Sequence, residues 1–386
     1  MGFKVAIPLL PYRVPVHLDG IEKLPSIFEK ENIDSVLLIT DQSIRSFGIT
    51  KPLEDLLSSK GIKLAVYDKT VPNPTDINVN EALALYKENN CKALIGFGGG
   101  SSMDCAKAVG ALVSNPNKSL LKMAGILKIR KPIVPLFAIP TTAGTGSETT
   151  LAAVITDSET RHKYVINSFP LIPKYAVLDA EATRTLPKSL TATTGMDALT
   201  HAIEAYIGRS TTKDTREYSE KAVKLIFENI KTAYEDGNNL EARKNMLYAS
   251  YLAGSAFTVS YVGYVHAVAH SLGGKYNTPH GLANAVLLPY VLEAYGASVY
   301  KKLYKLALIT GIADNSDSYE AGAKKFIDAI WKMQDELNIP KKIKGIEKSD
   351  IPELAMHAEK EGNPLYPVPK LMTEKELEQF YYDVME

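Results

Sequence analysis

The chain has 386 residues, 44 basic against 44 acidic side chains, and a composition that is 45% hydrophobic and 23% charged. That length allows two domains of ordinary size, and the composition is that of a globular protein. Balanced charge leaves no global field to draw nucleic acid or an anionic membrane, and apolar runs such as 133–139 fall far short of the ~20 residues of a membrane span.

At the N-terminus, Pro8, Pro11 and Pro15 interrupt the first twenty residues, which lack the continuous apolar core of a signal peptide. Short apolar runs at 35–40, 63–68, 92–99 and 133–140 then read as strands, with three further short candidates between 151 and 180. Amphipathic helical patterns separate the first four, so the spacing predicts α/β units and a largely parallel sheet. Cys91 and Cys105 suggest no disulfide framework and read as small buried residues, and a cytoplasmic enzyme is expected.

Two loops stand out in this half. GFGGGSSMDCAK, 96–107, leaves a strand and opens a helix, where backbone N–H groups and the helix dipole favour a phosphate. Gly98, Gly99 and Gly100 would let an anion approach the main chain closely. PTTAGTGSETT, 140–150, follows the next strand and offers the hydroxyls of Thr141, Thr142 and Thr145, with Ser101 on the first loop. Two such loops at strand ends suit an extended dinucleotide. The acid available for an adenosine ribose, Asp41, lies upstream of the glycine loop, so the strand order must differ from that of the usual fingerprint.

After Pro187 strand patterns nearly vanish and long helical ones take over. This predicts an α/β dinucleotide-binding domain over 1–185 and an all-α domain over 186–386. GMDALTHAIEAY sets Asp197 and His201 four apart, a spacing that stacks both on one helix face. HAVAHSLGGKYNTPH holds His266, His270 and, in a turn-like segment, His280. One carboxylate and four imidazoles suit zinc or iron(II). Spacing alone leaves open whether His266 or His270 is a ligand.

Taken together, GGGSSMD, PTTAGTGSE, GMDALTHAIEAY and HAVAHSLGGKYNTPHGLANAVLLP resemble, in order and spacing, the signature stretches of the iron-dependent (group III) alcohol dehydrogenase family. The resemblance covers essentially the whole chain. It implies the dehydroquinate synthase-like fold, a metal in a cleft between the two domains, and the ligands Asp197, His201, His266 and His280. His270 would then stand near the reacting groups. It further implies that Gly99, Gly100 and Ser101 hold the pyrophosphate, that Thr141, Thr142 and Thr145 line the nicotinamide side, and that Asn73 and Lys163 make further cofactor contacts. A carboxylate at Asp41 would repel a 2′-phosphate, which predicts NAD over NADP. Asp104 would brace the glycine loop.

The expected activity is hydride transfer between NAD(H) and a small primary alcohol, aldehyde or diol, with Fe(II) as the metal and zinc as the alternative. The expected assembly is a homodimer or higher homo-oligomer. The competing readings are a zinc-dependent glycerol dehydrogenase-like enzyme and a noncatalytic nucleotide- or metal-binding protein.

Overall fold

A computed structural model describes residues 12–386; the N-terminal segment 1–11, and what was expected of it, lies outside the described residues. The chain forms two compact units, 12–185 and 186–386.

The first unit is built on β1 (Val16–Leu18), β2 (Ser35–Ile39), β3 (Lys63–Tyr67), β4 (Ala93–Gly98), β5 (Gly125–Ile126), β6 (Leu136–Pro140), β7 (Ala152–Thr156), β8 (Lys163–Asn167) and β9 (Tyr175–Val177). Six of these make one sheet in the order β1-β9-β6-β4-β2-β3, with every pairing parallel. β2, β4 and β6 are buried at every residue, as expected of strands covered on both faces. The cover comes from α1 (Leu24–Glu31), α2 (Gln42–Ser46), α3 (Lys51–Ser59), α4 (Asp76–Glu88), α5 (Gly100–Ser114) and α6 (Leu120–Met123). One apolar cluster, around Leu37, Leu94 and Val109, and a second, around Phe28, Ile95 and Phe137, form the core.

A smaller sheet, β5-β8-β7, is mixed, because β7 and β8 pair antiparallel. The seven strands expected from the sequence are present. β1 and β5 are additions: β1 is an edge strand with Val16 exposed and Pro15 before it, and β5 is two residues long. Proline at an edge costs no ladder hydrogen bond, so its presence hid the strand.

The second unit is helical: α7 (Lys188–Ile207), α8 (Lys213–Glu235), α9 (Leu240–Ser260), α10 (Tyr264–Tyr276), α11 (His280–Tyr295), α12 (Tyr300–Ile309), α13 (Tyr319–Glu336), α14 (Ile351–Gly362) and α15 (Glu374–Val384). α7 packs against α8, α9 and α11, while α10 packs against α11 and α14. Fifteen of the twenty α7 residues are buried, which explains its apolar content all round. The turn-like reading of His280 needs correction. The turn is confined to 277–279, with Asn277 left-handed at φ 55°, and His280 is the first residue of α11. Among the described residues no single helix is long and apolar enough to cross a membrane.

Candidate functional site

Asp197 and His201 sit one turn apart on α7, His266 in the first turn of α10, and His280 at the start of α11. One ligand atom from each lies within 4.8 Å of every other. His280 Nε2 is 3.6 Å and His266 Nε2 4.0 Å from Asp197 Oδ1. The His201 ring stacks on His266 at 4.6 Å and on Phe257 at 4.2 Å. The start of α11 comes this near to α7 because residue 281 is glycine. A Cβ there would stand 2.7 Å from the Thr193 carbonyl oxygen, inside van der Waals contact with backbone.

The lone pairs of this group converge. Asn284, one turn after His280, donates its Nδ2 to Asp197 Oδ1 at 2.7 Å and reaches His266 Nε2 and His280 Nε2 at 3.1 Å each. A carboxamide nitrogen has two hydrogens for these three acceptors, so the protein alone leaves one acceptor over. Burial, followed by the neighbouring imidazoles, pushes His266 well below its usual range, and burial likewise holds His280 at about 4. Neutral imidazoles beside a buried carboxylate are the donor chemistry of a divalent cation such as iron(II) or zinc, and the residues present fit such an ion.

Behind these side chains stand partners that spacing did not single out. Glu204 Oε2 accepts from His266 Nδ1 at 2.6 Å, and burial raises that carboxyl to about 7. Glu361, on α14, accepts from His270 Nδ1 at 2.7 Å and from the Tyr366 hydroxyl. His270 stays 42% exposed and stacks on His280 at 5.3 Å. Burial, the largest single influence, would lower the His270 pKa, but the Glu361 carboxylate together with Glu204 and Asp197 outweighs it and the net shift is upward. Glu204 and Asn284 were within reach of a periodicity argument, three and four residues after His201 and His280 on the same faces. Glu361, 91 residues from His270, carried no local signal.

In the first unit, Asp41, the glycine loop and the threonine loop follow β2, β4 and β6, three adjacent strands, at their carboxyl ends. This is where open α/β sheets bind ligands. Gly98 has φ 151° and hands the chain to α5, whose N-cap is Gly99. A Cβ on Gly99 would meet nothing within 4 Å, so the first turn of α5 is approachable there, and Gly100 lies beside Thr145. Thr141 N–H donates to Gly98 O at 3.0 Å, which links the two loops directly. Asn73, left-handed at φ 56°, donates its N–H to Ser101 Oγ at 3.3 Å, and Thr142 Oγ1 is buried without a hydrogen-bond partner.

Asp41 also caps α2, accepting from Ile44 N–H with Oδ1 at 2.9 Å. Lys163 opens β8 with its side chain exposed. Asp104 accepts from Ser147 Oγ and Val154 N–H, tying α5 to the second loop rather than to the first. Lys107, fully buried, donates to Ser147 Oγ, Thr150 Oγ1 and Ala152 O at 2.8–2.9 Å.

Residues 11–180 match the family described as iron-containing alcohol dehydrogenase, and residues 191–385 match the Fe-containing alcohol dehydrogenase family, C-terminal. The chain is 40% identical over 331 residues to 1,3-propanediol dehydrogenase of Klebsiella pneumoniae, covering 85% of each protein. Its fold superposes on a crystal structure of 1,3-propanediol oxidoreductase with TM-score 0.92 and 36% identity, over 97% of this chain and 99% of the other. Sulfoacetaldehyde reductase from Bifidobacterium kashiwanohense, solved in complex with NAD+, matches with TM-score 0.86 and 26% identity over 97% and 98%. With both halves of the family matched and the convergent carboxylate and imidazoles in place, the chain belongs to the iron-containing alcohol dehydrogenase family and is an enzyme of that class.

Proposed function

We propose that this enzyme interconverts small primary alcohols or diols and their aldehydes with NAD(H), with iron(II) held by Asp197, His201, His266 and His280. The observation that carries this reading is the convergence of those four ligand atoms within 4.8 Å. In the bound state the metal supplies Lewis acidity toward the substrate oxygen, and the nicotinamide supplies the hydride acceptor or donor. The chain's own groups hold, orient and move protons. His270 has Nδ1 committed to Glu361, so Nε2 is the nitrogen left to exchange a proton with substrate or solvent. Phe257, stacked on His201, keeps water from one face of that ring.

For the nucleotide, the open approach to Gly99 and Gly100 at the start of α5 supports a pyrophosphate seat, with Ser101 beside it. Thr141, Thr142 and Thr145 line the nicotinamide side in this reading, and Asn73 and Lys163 add contacts. Asp41 keeps Oδ2 for a ribose hydroxyl while Oδ1 caps α2, and its charge favours NAD over NADP. Buried free thiols at Cys91 and Cys105 fit a reducing compartment, which supports a cytoplasmic location. Homodimeric or higher assembly completes the reading, on the resemblance alone.

The test is NADH oxidation with short aldehydes, using chelator-stripped protein returned anaerobically to Fe(II), Zn(II) or no metal. Turnover restored by Fe(II) is expected. Turnover without metal, or none with any metal despite NADH binding, would overturn the reading.

A further inference from the structure

Glu204 lies seven residues after Asp197 and three after His201, on the face of α7 that carries both. Its carboxylate is buried and accepts three hydrogen bonds. Oε2 takes Gly263 N–H at 2.8 Å and His266 Nδ1 at 2.6 Å, and Oε1 takes Val265 N–H at 2.8 Å. Gly263 is the N-cap of α10 and has no side chain to cap with. The acceptors for the first N–H groups of α10 therefore come from α7.

We infer that Glu204 is a positioning residue of the metal centre, fixing where α10 begins against α7 and holding His266 with its proton on Nδ1 and its Nε2 lone pair toward Asp197 and His280. This rests on His266 being a ligand. An imidazole has one N–H and one lone pair when neutral, so a carboxylate at Nδ1 leaves Nε2 as the only donor to a cation. Outer partners of this kind also raise ligand basicity. Gly263 belongs to the same device: a Cβ there would stand 2.7 Å from Glu204 Oε1, so only glycine lets the carboxylate sit this close to the helix start.

The inference is tested by titrating chelator-stripped protein with Co(II) alone, reading affinity and the visible absorption of the bound ion, with circular dichroism to confirm folding. Glu204→Gln keeps the shape but leaves at least one of three N–H donors without an acceptor, and two where the amide nitrogen replaces Oε2. Gly263→Ala keeps the carboxylate and displaces it. Each should weaken Co(II) binding about 10–100-fold and alter the absorption band. A residue that merely caps α10 would lower the melting temperature and leave the Co(II) affinity of the folded protein unchanged. Affinity and spectrum indistinguishable from the unmodified chain in either folded variant, with His266→Ala weakened, would overturn the inference alone. Unweakened binding in His266→Ala would instead remove His266 from the ligand set, and this inference with it.

Discussion

In residues 12–185 the candidate contacts are mostly backbone N–H groups and hydroxyls that follow directly on strands. In residues 186–386 they are side chains drawn from three helices. Gly99, Gly100 and Thr141 owe their place to the carboxyl ends of β4 and β6, so neighbouring strands suffice to bring the two loops together. Asp197, His266 and His280 meet only because α7, α10 and α11 pack at fixed depth and a glycine allows the last approach. A loop read by its backbone tolerates many side-chain changes, whereas a cluster of side chains fails when any one of them is lost.

The sharpest way to break that contrast is to remove one convergent group. Asp197→Ala or His266→Ala should cost about 10³-fold or more in turnover, since a Lewis acid supplies several kcal/mol to the transition state. Metal analysis should show the ion lost while NADH still quenches or enhances fluorescence as before. Retained turnover in either variant would end the side-chain half of the comparison.

Next in size is His270→Ala, which should slow turnover by about 10²-fold, the lower range for a positioned proton-transfer group. Metal content should stay near that of the unmodified chain. If metal is lost and the residual rate per bound ion is normal, His270 is a ligand.

A smaller effect concerns acid stability of the stripped protein. His280 is held at about 4 in the fold, while a free imidazole titrates near 6.5. Between those values the unfolded chain binds more protons, so this contribution is full above pH 6.5 and is lost as pH falls toward 4. His280 is 41% exposed, and solvent screening reduces the effect. The melting temperature should drop more steeply over that window than in His280→Gln. Parallel curves would show that the crowding does not depress this imidazole.

The smallest change expected is in Asp41→Gly. Loss of its cap to Ile44 should cost only a few tenths of a kcal/mol. The ratio of kcat/KM for NADH over NADPH should fall, and an unchanged ratio would leave Asp41 as a helix cap only.

Much of the sheet was legible because strands covered on both faces read as unbroken apolar runs, as in SVLLI and ALIGFG. The candidate pair Asp197 and His201 on α7 was legible because a four-residue interval fixes a shared face, whereas the same interval on α10 left His266 and His270 undistinguished. His280 was misread because Pro279 and Gly281 are turn residues in sequence, yet proline is also well placed at a helix start and glycine was needed for a close approach. Glu204, although it shares a helix face with His201, and Glu361 were passed over for another reason. A glutamate on a helix is ordinarily solvated, and only the fold shows that one faces His266 and the other His270.

Lys107 gives the first unit an internal reporter. Its amine has no solvent contact, being enclosed by Ser147, Thr150 and Ala152 across from α5. Amine-reactive reagents that tag the surface lysines will pass this one by while α5 and the loop stay joined. The pace at which it becomes tagged therefore clocks how often α5 and the segment 147–152 part, and a ligand that clamps the two together should slow that clock.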